Sequence, residues 1–232
     1  MNKRKKMDKR LLICLAVMIV GLLIMCIPLY EDYLTAYKVE QNLEKVEVEK
    51  PVKKEVVEKK EDLVHKYSEP IPTEYDNDST GKVVGKIFIP DVDIKLPIYK
   101  GLGVENGDNM LKGAVTNKKK QEMGKRNYVL SSHNNLNNTL FSSLEESKVG
   151  EKVYITDEDN IYEYKIVDMK VVTPDSVSIL DDVKNKNILT LYTCTSYTPN
   201  STVFNPDDTD RNIVTAELVN ISKYKDNKIF KF

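Results

Sequence analysis

Lys152-Val153-Tyr154-Ile155-Thr156-Asp157-Glu158-Asp159-Asn160-Ile161-Tyr162-Glu163-Tyr164-Lys165-Ile166-Val167 reads as two strands and a turn. Apolar and polar side chains alternate along both arms, the period of a half-buried strand. Asp157 to Asn160 interrupt that period with turn-forming side chains, so the stretch predicts a β-hairpin with arms 152–156 and 161–172. Outward from it, short β-branched runs recur at 83–89, 94–99, 127–131, 188–192 and 213–219. Turn signals separate them: Pro90-Asp91, Gly101, Gly103, Gly107-Asp108, Gly124, Pro174-Asp175 and Asn205-Pro206-Asp207-Asp208. Short helices are expected at 107–111 and 140–146. Strands at this spacing, with no long helices between them, define an all-β domain, either a sandwich or a closed barrel.

The N-terminus follows a different grammar. Lys3, Arg4, Lys5, Lys6, Lys9 and Arg10 precede a run from Leu11 to Tyr30 that carries no charge, and Glu31 and Asp32 follow it. Twenty helical residues rise about 30 Å, the thickness of a bilayer's hydrocarbon. Basic residues before the run orient the N-terminus toward the cytoplasm, so the rest of the chain is expected outside the cell. A cleaved secretory signal is the alternative; its apolar core is shorter, about 7–15 residues, and ends at a small-x-small site that is missing here. The chain therefore divides into a cytoplasmic basic tail (1–10), a transmembrane anchor (11–30), a Lys/Glu/Val-rich extracellular stalk (31–79), a folded domain (80–222) and a C-terminal tail (223–232) that either frays or packs as an extra turn. The stalk is too polar to fold alone.

With 35 basic and 36 acidic residues the net charge is −1, which excludes a globally basic surface for nucleic acid. Two of the three cysteines, Cys14 and Cys26, lie in the apolar run, leaving Cys194 without an intrachain partner in the exported part. His65 falls in the stalk, so His133 is the folded part's histidine, and Arg126 and Arg211 are its arginines. Arg126 sits in a charged loop and reads as incidental.

Cys194 ends the apolar strand 188–192, His133 follows 127–131, and Arg211 enters 213–219. All three stand at strand ends, where a rigid scaffold presents groups to solvent. A thiolate is a nucleophile, an imidazole moves protons, and a guanidinium stays charged and donates hydrogen bonds to an oxyanion. The trio suits acyl transfer if it converges. Otherwise His133 is a surface histidine and Arg211 a partner for Asp208 or Asp210, and spacing alone does not choose.

At these residues the chain resembles the sortase family of Gram-positive bacteria. Thr190-Leu191-Tyr192-Thr193-Cys194 is similar to the family's Thr-Leu-x-Thr-Cys signature, and Arg211-Asn212-Ile213-Val214-Thr215-Ala216-Glu217 to its arginine strand. Ser131-Ser132-His133-Asn134 falls where the family keeps its histidine, with Ser132 where many class A members have Gly. Gly85 to Pro90 and Asp93 to Tyr99 resemble the opening strands of class A, and Leu111 to Val115 the helix and turn after them.

The resemblance implies a closed, mostly antiparallel eight-stranded β-barrel behind the N-terminal transmembrane helix. It implies cleavage of a Leu-Pro-x-Thr-Gly-type sorting signal by Cys194, with His133 as acid/base and Arg211 positioning substrate or oxyanion. It further implies substrate contacts at Thr193, Leu191 and Ala114, and transfer to a peptidoglycan-precursor amine or a pilin lysine. No cofactor is expected. Some family members bind calcium before the histidine strand; here Lys118-Lys119-Lys120-Gln121-Glu122-Met123 repels a divalent cation, so no metal site is expected. Asp175, Asp181 and Asp182 read as solvated turn residues. Two rivals stay open at this point: a hydrolytic cysteine peptidase and a non-catalytic tethered β domain.

Overall fold

The structure, a computed structural model, describes residues 9–45, 48–49, 74–103, 109–135, 139–195, 210–226 and 228–230. A helix, α1 (Lys9–Lys45), precedes eight strands: β1 (Val83–Ile89), β2 (Ile94–Tyr99), β3 (Ala114–Thr116), β4 (Asn127–Ser131), β5 (Lys152–Thr156), β6 (Asn160–Val172), β7 (Ile188–Cys194) and β8 (Arg211–Lys223). They close in the order β1-β2-β3-β4-β7-β8-β6-β5. Only β2–β3 and β4–β7 run parallel among these pairs; the others are antiparallel. A closed barrel leaves no sheet edge, and the hairpin 152–172 supplies two of its staves.

Period-two alternation decides what fills the barrel. Along β1, Ile87 and Ile89 are fully buried while Lys86 and Phe88, alternating with them, are half-buried. Leu96 and Ile98 of β2, Tyr128 and Leu130 of β4, Leu189 and Leu191 of β7, and Val214 and Ala216 of β8 join them in one core. The set facing out from β4 and β7 is therefore Asn127, Val129 and Ser131 beside Ile188, Thr190, Tyr192 and Cys194.

Strand β3 departs from the sequence reading, which had a helix and turn at 111–115. Its parallel partner explains it: a Cβ on Gly113 would stand 2.4 Å from the Pro97 carbonyl oxygen, so glycine lets the chain enter the sheet against β2. Residues 142–146 form a 3-10 turn (Ser142–Glu146), shorter than the helix expected from 140. The helix expected at 107–111 lies partly outside the described residues, and 109–111 form a turn.

The segment read as a stalk is partly structured where it is described. α1 continues to Lys45, and Val39 is buried in the barrel's apolar cluster. Val48 packs with Val83, Tyr99 and Val115, and the Glu49 N–H donates to the Val83 carbonyl at 2.9 Å. The tail packs too: after a 3-10 turn over Tyr224–Asp226, the Phe230 ring lies 6.3 Å from that of Phe88. Among the described residues no helix is long and apolar enough to cross a membrane. Residues 13–27 of α1 are exposed, apolar side chains included.

Candidate active site

Backbone register brings the three candidate residues to one end of the barrel. Cys194, the last residue of β7, is the direct antiparallel partner of Arg211, the first residue of β8. Residues directly opposite in a ladder share a face and stand about 5 Å apart. On the other side β4 runs parallel to β7 with Ser131 opposite Tyr192, so His133, two residues on, leaves the sheet level with Cys194. Period two puts Cys194 and Arg211 on the outer face with Tyr192 and Thr190.

Local hydrogen bonds hold this junction. The Thr193 hydroxyl donates to the Ser132 carbonyl at 2.8 Å, tying the residue before the thiol to the residue before the imidazole. The Asn134 amide donates to the Cys194 carbonyl at 2.9 Å, and the Thr195 N–H to the Asp210 carbonyl at 2.9 Å. Ser132, where the resemblance has glycine, is buried and donates through its hydroxyl to the Gly113 carbonyl at 2.8 Å. It anchors the strand end that leads into His133. Cys194, His133 and Arg211 are themselves half-buried, open to a reactant while partly shielded from water. Burial pushes the His133 pKa below the ordinary imidazole value, favouring a neutral ring able to accept a proton.

The three residues expected to touch substrate are buried. Leu191 and Ala114 are fully buried in the core, and Thr193 is buried with its hydroxyl committed to Ser132. Strand parity accounts for this burial: in β7 the odd positions face in. Sequence reasoning passed over two polar residues at the outer positions, Ser131 of β4 and Tyr192 of β7. Tyr192 accepts a hydrogen bond from the Asn117 amide at 2.7 Å, and the same amide reaches the Ser131 hydroxyl at 3.0 Å. Burial raises the Tyr192 pKa, a hydrogen bond with Ser131 and the Arg211 charge oppose the rise, and a Cys194 thiolate adds to it. Counting every second residue back from Cys194 would have found Tyr192.

The connection between β6 and β7 walls this face. It leaves β6 at Val172, which pairs with Arg211, and rejoins the sheet at Ile188. Between those points Asn127 donates to the carbonyls of Ile179 at 3.0 Å and Asp181 at 2.9 Å, while accepting from the Thr190 hydroxyl at 2.8 Å. Asp182, expected in solvent, is half-buried, with its side chain 9% exposed. It accepts from Lys118 at 2.7 Å and from Arg126 at 3.2 Å. Arg126 is therefore no incidental arginine. Burial alone would raise the Asp182 pKa, but the Lys118 hydrogen bond and charge, helped by the Asn127 N–H and Arg126, bring it below the ordinary value. Thr195 opens the loop 195–210; its residues 196–209, like His65, lie outside the described residues.

The structure is a closed eight-stranded barrel with a cysteine, a histidine and an arginine at one strand-end junction. The sortase domain family model matches residues 87–219. Sortase A of Streptococcus agalactiae is 43% identical over 157 residues, an alignment covering 64% of this chain and 59% of that protein. Sortase A of Bacillus anthracis is 33% identical over 206 residues, covering 87% of this chain and 92% of that protein. The crystal structure of Listeria monocytogenes sortase A superposes with a TM-score of 0.55 at 35% identity, covering 65% of this chain and 98% of that one. The chain belongs to the sortase family, and its likeness is to class A.

Proposed function

We propose that this chain is a membrane-tethered cysteine transpeptidase that cuts a Leu-Pro-x-Thr-Gly-type sorting signal and joins the upstream part to an amine. The observation that carries this reading is the register of β7, with Arg211 directly opposite Cys194 on one side and the exit of β4 toward His133 on the other.

Cys194 gives its thiol proton to His133, and the sulfur attacks the carbonyl carbon of the scissile Thr–Gly bond. The carbonyl π electrons move to oxygen, and Arg211 stabilises the oxyanion with charged N–H donors. When the oxyanion collapses, the C–N bond breaks, His133 returns the proton to the departing glycine amine, and a thioester remains on Cys194. An amine of a peptidoglycan precursor, or a pilin lysine, attacks that thioester. Its surplus proton passes to His133, and the Cys194 thiolate leaves. No oxidant or metal enters the balance.

The neutral His133 favoured by burial suits the first proton transfer. The uncharged run 11–30, flanked by basic residues before it, supports α1 as the anchor, with residues 1–10 cytoplasmic and the catalytic domain, 80–222, outside. Transfer is tested by incubating the full chain in detergent micelles with a labelled Leu-Pro-x-Thr-Gly peptide and triglycine. A product with triglycine amide-linked to the peptide's threonine supports the reading. Water-cleaved peptide alone, at every triglycine concentration, contradicts it in favour of a hydrolase. Cys194→Ala should form neither product.

A further inference from the structure

The strongest feature outside the site is the contact between α1 and the barrel. Ala36, Val39, Glu40 and Leu43, spaced i, i+3, i+4 and i+7, form one helical face. That face lines a cavity of about 470 Å³ opposite Ile94 and Leu96 of β2, Thr139 and Leu140, and Phe230. Val39 is only 6% exposed and lies in the same apolar cluster as Ile94, Leu96 and Leu140.

Leu140 closes the loop that His133 opens. The Phe141 N–H donates to the His133 carbonyl at 3.0 Å, and Asn134 and Leu140 form an isolated antiparallel bridge. The Ser142 hydroxyl donates to the carbonyls of Asn135 at 2.8 Å and Thr139 at 2.6 Å, completing the closure. Leu140 itself has φ +59°, a left-handed conformation that a residue with a Cβ holds only where its surroundings enforce it. Leu140 is 3% exposed, so packing is what enforces it.

We propose that residues 36–43 of α1 are a positioning element for His133, acting through Leu140. The helix face completes the apolar wall that fixes Leu140, the Leu140 backbone fixes the loop's return, and the return fixes the point from which the imidazole reaches Cys194. Val39 and Leu140 are positioning residues; neither touches the reacting atoms. The catalytic geometry is then complete only with α1 docked, which ties the anchor helix to the chemistry. This inference rests on the reading of His133 as the acid/base.

The test is a double-mutant cycle in the full chain, in detergent micelles, with transfer to triglycine as the assay. Val39→Ala should lower kcat by about fivefold or more while the peptide KM stays within about twofold, because loop position affects proton transfer rather than binding. Val39→Ile should restore kcat, and Lys38→Ala, on the exposed side, should leave it unchanged. Val39→Ala and Leu140→Ala combined should lose less than the product of the single losses, the mark of a shared pathway. Should Val39→Ala fail to fold by circular dichroism, Leu43→Ala at the rim of the same face is read by the same criteria. An unchanged kcat, a change in KM alone, or strictly multiplicative losses would overturn the proposal. His133→Ala separates the two levels: with turnover abolished there and unaffected by Val39→Ala, only this inference falls, whereas turnover retained in His133→Ala overturns the acid/base reading and this inference together.

Discussion

Removing the Asp182 carboxylate tests whether the wall over the outer face is held by buried charge. Asp182→Ala leaves the Lys118 ammonium, whose side chain is 5% exposed, facing the Asn127 carbonyl at 3.4 Å and no carboxylate. Stranding one member of a buried ion pair costs about 3–5 kcal/mol. For a domain of this size each kcal/mol lowers Tm by about 2–4 °C, so the expected drop is roughly 6–20 °C. Arg126 adds little, because its side chain is 22% exposed and can turn to water. The exposed pair Lys119–Glu74 provides the contrast: Glu74→Ala should leave Tm almost unchanged. Replacing both buried partners, Lys118→Met with Asp182→Leu, should recover most of the loss, since no ion is then left unsolvated. The pH dependence has a definite sign. The folded pKa of Asp182 lies below the unfolded value of about 3.9, so its contribution is present above that pH and vanishes as pH falls through the folded value. Thermal unfolding by circular dichroism at pH 7 and at pH 3 measures both effects. A loss under about 1 kcal/mol from Asp182→Ala at pH 7 would refute the argument.

Three further outcomes are expected. Arg211→Lys keeps the charge but loses the planar fork, and kcat for transfer should fall by about 10²-fold or more; a fall below threefold would remove the guanidinium from the oxyanion's surroundings. Because burial depresses His133, acidification below its ordinary value of 6.5 should destabilise the wild type relative to His133→Gln, measured as the difference in urea midpoints at pH 7.5 and 5. A constant difference would place the ring in solvent. Tyr192→Phe removes the acceptor of the Asn117 amide, which keeps its bond to Ser131, so stability should fall by only about 0.5–1.5 kcal/mol in the same titration.

Strand pattern carried most of the barrel in advance, because alternation is a local property. The bounds expected for β1, β2, β4 and β5 coincide with those observed. β8 was underestimated: it runs on to Lys223 because its antiparallel partner β6 is equally long, pairing Asn160 with Lys223, a contact invisible within either segment. β3 escaped because three residues carry no period, and its place depends on a glycine meeting a distant proline carbonyl. At the site, residue types pointed to Cys194, His133 and Arg211, but their convergence is a matter of register across three strands. The burial of Leu191, Thr193 and Ala114 is likewise a matter of strand parity, which motif membership does not carry. Asp182, Lys118 and Arg126 are separated by more than fifty residues from first to last, and no local pattern joins a turn aspartate to a lysine-rich loop. The docking of α1 was equally hidden, since Ala36, Val39 and Leu43 form a face too small to stand out in a Lys/Glu-rich segment.

The central claim, that sulfur, imidazole and guanidinium work as one acyl-transfer site, is tested most directly by intact-mass spectrometry of the full chain mixed with a sorting peptide and no amine acceptor. The account predicts a thioester adduct of the peptide's upstream part that maps to Cys194, disappears in Cys194→Ala, and forms at least about 100-fold more slowly in Arg211→Ala. Peptide cleavage undiminished in Cys194→Ala, or an adduct on another residue, would contradict it.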